Sequence, residues 1–165
     1  MAVIVEDGSI VSGANSYLSI ADCKTLLEGL GYTSLQATAT EGQIRSAAQY
    51  IDSYRSQFRG YKSDTTQAMQ WPRYDATIDG ISVLSTVIPD EIKTAQALAA
   101  AELIAGNSLW NSNTSGQTVT AESVDVISVT YSDTGSANPA PKFGRIDAIL
   151  APTLKSGFSL SVTRA

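Results

Sequence analysis

The sequence predicts a mostly α-helical domain: a small bundle of three to four helices, with a short β segment near residues 124–131 and extended N- and C-terminal arms. Three observations predict it. Two stretches place apolar residues at steps of three and four behind capping residues. A third, Ile92 to Ala105, is rich in alanine and leucine, the strongest helix formers. The late segments 124–131 and 159–164 alternate apolar with polar residues, as half-buried or edge strands do. A length of 165 residues suits a single domain. Within it the chain divides into an arm (1–18), a helical core (19–106), a loop (107–123), a strand plus short helix (124–154) and a tail (155–165).

The elements follow in order. Ala2-Val3-Ile4-Val5 is a short apolar run stopped by the turn chemistry of Glu6-Asp7-Gly8-Ser9. Ser19 offers an N-cap, with Asp22 three residues on; Ile20, Cys23, Leu27 and Leu30 then recur at helical spacing, and Gly31 stops the helix. Thr40 and Gln43 form a second capping box. Behind it Ile44, Ala47, Ile51, Tyr54 and Phe58 make one apolar stripe, with Arg45, Gln49, Asp52 and Gln57 expected in water. Arg55, Arg59 and Lys62 place positive charge at the end of that helix, where the dipole favours it, and are a candidate basic interaction patch.

Residues 60–88 read as loop with short pieces of structure. Trp71-Pro72-Arg73 sits in its middle and is expected to form either a bend between helices or a subunit contact, with Trp71 projecting from it. Asp79-Gly80 is a turn. Pro89 opens the third helix at its first position, acids Asp90 and Glu91 follow in the first turn, and Gly106-Asn107 ends it. Its small face of Ala95, Ala99 and Ala100 admits a close neighbour helix. Residues 107–123, rich in Ser, Thr, Asn and Gly, read as a flexible loop or as an element ordered by a partner. Ile146, Ile149, Leu150 and Leu154 form a short helix perturbed by Pro152. The tail, with Phe158, Leu160 and Val162 alternating, reads as an edge strand added to another sheet or as a frayed end.

Composition removes much chemistry. With no histidine there is no His base, His ligand or Ser-His-Asp site. Cys23 stands alone, so neither an intrachain disulfide nor a Cys-rich zinc site can form, and its place on an apolar stripe makes it a small core residue. No G-x-x-x-x-G-K-[ST], G-x-G-x-x-G or G-x-S-x-G occurs. The adjacent carboxylates Glu6-Asp7 and Asp90-Glu91 are explained by a turn and a helix start. The expectation is a non-enzymatic protein without catalytic residues, metal or cofactor. MAVIVEDGS lacks the basic start and long apolar run of a signal peptide, and no stretch is apolar for the ~18–20 residues of a membrane span, so a soluble protein made in a cytoplasm is expected.

The net charge is −5, but it is unevenly placed. Arg45–Arg73 carries five basic and two acidic residues, and 142–165 carries four basic and one acidic, so each is net +3 and the remainder is strongly acidic. Such polarity suits different partners on different faces.

Four segments in order resemble those of tailed-phage head–tail connectors, also called adaptor or head-completion proteins. They are Val5-Glu6-Asp7-Gly8 leading to Ala14-Asn15-Ser16-Tyr17; Gln67-Ala68-Met69-Gln70-Trp71-Pro72-Arg73; Ile88-Pro89-Asp90-Glu91-Ile92-Lys93-Thr94-Ala95; and Ile127-Ser128-Val129-Thr130-Tyr131 followed by Ile146 to Leu154. The resemblance implies a virion protein, assembled in the host cytoplasm, that forms a ring, typically of twelve copies, beneath the portal. Its implied partners are other copies of itself, the portal, a tail or neck protein, and double-stranded DNA passing through an acidic lumen without being held; no membrane is involved. Phe158, Leu160, Val162 and Arg164 would then contact the portal. The long 107–123 loop and the Phe-Ser-Leu-Ser-Val tail depart from the family pattern. Sequences of this type are also labelled DnaT-like single-stranded-DNA-binding proteins, which is the alternative reading, with another neck or tail-completion component as a third. That alternative needs Arg55, Arg59, Lys62 and Arg73 to form a groove with Tyr54, Tyr61 and Trp71.

Overall fold

The computed structural model describes residues 2–32, 39–110, 121–124, 127–130 and 143–155. Among them are four α-helices, α1 (Ile20–Gly29), α2 (Glu41–Asp52), α3 (Asp90–Ile104) and α4 (Gly144–Leu150). Three two-stranded antiparallel pairs accompany them: β1 (Tyr61–Lys62) with β2 (Arg73–Tyr74), β3 (Thr77–Ile78) with β4 (Ile81–Ser82), and β5 (Ala121–Val124) with β6 (Ile127–Thr130). The domain is helix-rich and mixed.

α3 is the centre. α1, α2 and α4 all pack on it. Ile92, Leu98 and the run of alanines at 95, 97, 99, 100 and 101 are buried on all sides, which is the pattern of an interior helix. Alanine supplies helix propensity and lets neighbouring backbones come close. Pro89 lies one position outside the helix rather than at its first residue, within the usual ambiguity of helix ends. Gly106 ends the helix in the left-handed region (φ 88°). Its N–H bonds the Leu103 carbonyl and that of Asn107 the Glu102 carbonyl, a complete Schellman pair. Gly31 ends α1 in the same way, through Glu28 and Leu27.

α1 and α2 start where the capping residues place them. Ser19 accepts from the Asp22 N–H, and Thr40 and Gln43 form both arms of the capping box. α2 stops at Asp52, however, and a 3₁₀ turn (Ser53–Ser56) follows. Phe58 is buried as expected, but from an extended backbone paired with Leu154. Beyond that turn the C-terminal part returns alongside: Arg59 N–H bonds the Thr153 carbonyl and Lys155 N–H the Gln57 carbonyl. Arg55, Arg59 and Lys62 therefore lie beyond the last turn of α2.

The N-terminal segment is no free arm. Val5 pairs with Ser16, and Glu6, Ala14, Ser16, Tyr17 and Leu18 are buried. The Glu6 carboxylate is satisfied locally, accepting from the N–H groups of Gly8, Ile10 and Val11 at 2.9–3.0 Å. Gly8 (φ 105°) runs so close to the 84–88 segment that a Cβ would lie 1.9 Å from the Thr86 carbonyl oxygen. Asp79 and Gly80 turn the β3–β4 hairpin with positive φ at both positions, the type I′ pattern. The expected single strand at 124–131 is a hairpin: Ala121–Val124, placed partly in the expected loop, pairs with Ile127–Thr130. Leu109, also assigned to that loop, is buried in the core. Most of the rest of the 107–123 loop and the 156–165 tail fall outside the described residues.

The buried Gln96 of α3 is the polar tie of the core. Its Oε1 accepts the Tyr17 N–H at 2.9 Å, and its Nε2 donates to Ser16 Oγ at 2.7 Å and the Ile44 carbonyl at 3.1 Å. Gln96→Leu strands these groups, and each buried polar group left without a partner costs about 1–3 kcal/mol. Urea denaturation should show a loss of at least that size with the m-value unchanged.

Candidate nucleic-acid interface

The candidate interface is built where the end of α2 meets two loops. α2 and its 3₁₀ extension carry Arg45, Gln49, Asp52 and Arg55 along one side. Asn15 from the N-terminal segment and Gln70 from the 67–73 segment face them across a groove of about 650 Å³. Arg45 is half-buried and lies 3.8 Å from the exposed Glu41 carboxylate. Arg55 is exposed. Two guanidiniums and three amides around an open groove suit phosphate oxygens and base edges.

The floor is Asp52, one of the residues expected in water. Its Oδ1 accepts a short hydrogen bond from the Tyr17 hydroxyl, and its Oδ2 accepts from the Gln70 N–H at 3.2 Å. The Tyr17 oxygen in turn accepts from the N–H groups of Gln70 and Trp71, both at 3.1 Å. Burial pushes the Asp52 carboxyl from the ordinary 3.8 up to about 6, against the hydrogen bonds from Tyr17 and Gln70 and the charges of Lys62 and Arg73. Burial, then the neighbouring Asp52, raises the Tyr17 phenol further above its ordinary range, so it stays a donor. Burial alone pushes the Cys23 thiol up to about 11, so it is inert in the core.

The expected groove of Arg55, Arg59, Lys62 and Arg73 with Tyr54, Tyr61 and Trp71 is not assembled. Arg73 is buried; its Nε and Nη2 donate to the carbonyls of Arg59 and Gly60 at 2.8 Å, and its guanidinium lies over the Phe58 ring. Arg59 donates to the Leu154 and Thr77 carbonyls, and Lys62 to the Gln67 carbonyl at 2.6 Å. These three cations tie loops together, and only Arg55 of the set lines the groove. Trp71 does not project: it is fully buried edge-on to Phe58, with a cis bond to buried Pro72. Tyr54 gives its hydroxyl to Asp147 at 2.8 Å. Gln67 completes the segment, accepting from Ser63 and Asp64 and donating to Met69 and Pro72. Gln67 to Arg73 is thus a self-tied plug, and neither a bare bend nor a surface contact describes it. Phe158, Leu160, Val162 and Arg164 lie outside the described residues.

One aromatic feature went unread in the sequence. Tyr61 and Tyr74, opposite each other on β1 and β2, are 63% and 46% exposed, with ring centroids 5.4 Å apart and planes 30° from parallel. Their 13-residue separation hid the pair; only the strand register joins them. Among the described residues no three metal-ligating side chains cluster, and no helix is long and apolar enough to cross a membrane.

Burial of Trp71 predicts that Trp71→Ala costs about 3–5 kcal/mol in denaturant unfolding. Trp71→Phe should cost less, because the indole N–H has no hydrogen-bond partner among the described residues. The raised Asp52 pKa predicts a pH dependence of defined sign. The unfolded carboxyl ionises near 3.8 and the folded one near 6, so this group's contribution to stability is full below the former and is lost as pH rises through the latter. The fall attributable to this group is at most about 3 kcal/mol. Unfolding curves between pH 4 and 7 should show it, and Asp52→Asn should remove it.

Comparison with known proteins then corrects the first reading. A family model described as "Putative DnaT-like ssDNA binding protein" matches residues 1–165. No curated protein and no solved structure matches the chain. The full-length match overturns the head–tail connector reading, and with it the ring beneath a portal, the portal and tail partners, and duplex DNA passing unheld through a lumen. The physical reason is visible in the resembling segments: Glu6, Tyr17, Gln67, Trp71, Arg73 and Ile92 are all buried, so those motifs report the fold and not the partner. By the match across its whole length, this chain belongs to the DnaT-like single-stranded-DNA-binding protein family.

Proposed function

We propose that this protein binds single-stranded DNA without sequence preference, as a non-enzymatic accessory to replication, from a four-helix bundle centred on α3. The observation that carries the proposal is the open groove walled by Arg45 and Arg55 and lined by Asn15, Gln49 and Gln70. Guanidiniums neutralise phosphates, and amides adapt to any base. The exposed Tyr61–Tyr74 pair adds aromatic faces on which bases stack whatever their identity. The family description supports the same ligand. Against a net charge of −5, binding rests on the locally positive 45–73 segment, so affinity is modest and falls steeply with salt.

Fluorescence anisotropy with a labelled oligothymidylate tests this. Binding should appear at low salt, with log K falling linearly against log salt. Arg55→Ala should flatten that slope by about 0.7. Tyr61→Ala or Tyr74→Ala should weaken binding by about 1–3 kcal/mol with little change in slope. Absence of binding at low salt, or wild-type affinity and salt slope in all three variants, rejects the reading.

A further inference from the structure

A second surface is apolar. Ile81 and Leu84 are 73% and 71% exposed and Val87 is 42% exposed. Ile81 and Val87 join Ile78, Val83 and Pro89 around a shallow groove of about 320 Å³ at the β3–β4 hairpin. Its rim is acidic, with Asp79 and Glu91, and no basic residue lines it. These three exposed apolar side chains, one on the hairpin and two just after it, form the kind of patch that a partner segment covers.

The last described residues, 151–155, lie beside the hairpin that carries this groove. The 3₁₀ turn at 151–153 packs on β3. Arg59 joins the two: its Nε donates to the Leu154 carbonyl at 2.7 Å and its Nη1 to the Thr77 carbonyl at 3.4 Å. Lys155, the last described residue, is fastened to the Gln57 carbonyl at 2.7 Å. Ten residues follow it in the sequence, 156–165, with a reach of roughly 33 Å when extended. They contain no acid, one Arg, and apolar residues at 158, 160 and 162, a spacing that puts all three on one face of an extended chain.

We propose that the groove is the seat of this chain's own C-terminal segment, with Phe158, Leu160 and Val162 laid over Ile78, Ile81 and Val87 and Arg164 set against the acidic rim. Proximity makes the docking intramolecular and concentration-independent. Apolar side chains meet apolar floor, and the segment's single charge is opposite to that of Asp79 and Glu91.

Hydrogen exchange on the full chain, without DNA, tests this independently of the DNA-binding reading. Ile81→Asp changes an exposed side chain and Leu160→Asp one outside the described fold, so α3 amides should keep their protection in both. Each variant should speed exchange in both segments, 78–84 and 157–163, about ten-fold or more. Glu91→Lys should do so partially, and Arg164→Glu in the same chain should restore protection. If Ile81→Asp leaves 157–163 unchanged, or Leu160→Asp leaves 78–84 unchanged, the docking is wrong. If the coupling vanishes on dilution while the mass falls to that of one chain, the occupant is a second copy and the intramolecular proposal is overturned.

Discussion

Tyr17 is held at both ends, and four parts of the chain meet on it. Its N–H is taken by Gln96 of α3. Its hydroxyl donates to Asp52 at the end of α2 and accepts from the backbone of Gln70 and Trp71. A phenol oxygen has one proton and two lone pairs, so every hydrogen-bonding site on it is used. This buried node places the N-terminal segment, the 67–73 plug and α2 in one register against α3. Breaking it would leave several buried groups without partners at once, and such networks are lost as units.

The same node shapes the candidate interface. Asp52 is tied into it at the floor of the groove, half-buried, beside Arg45, Gln49 and Arg55 on the same side of the helix. Burial raises this carboxyl's pKa to about 6, so the floor of the groove loses its negative charge only below that pH. The groove and the core are thus two faces of one arrangement, and the cations that could have widened the positive patch, Arg59, Lys62 and Arg73, hold loop carbonyls instead. The groove is therefore walled by few charges, and the exposed aromatic area lies on Tyr61 and Tyr74.

Local chemistry was legible where the cause is local. The capping residues Ser19, Thr40 and Gln43, the glycine stops at 31 and 106, the Asp79-Gly80 turn and the interior alanine face of α3 all act within a few residues of themselves. The extended backbone at Phe58 was not legible, because its partner, Leu154, is almost a hundred residues away. Nor was the fate of Trp71: a Trp-Pro step reads equally as a bend or a contact until the Gln67 side chain and Phe58 are seen around it. The motifs that suggested a connector misled for the same reason, since a buried plug specifies a fold that different functions can share.

By itself the sequence determined the helix-rich class, the helix starts, the core role of Cys23 and the absence of histidine and disulfide chemistry, because periodicity, caps and composition are properties of short windows. Only the tertiary structure decided which cations face solvent, that Tyr61 and Tyr74 form a pair, and that Asp52, half-buried at the groove floor, is tied to Tyr17 and Gln70. Those outcomes depend on long-range hydrogen bonds to backbone carbonyls and on strand register, which place residues together without leaving a local mark in the order of amino acids.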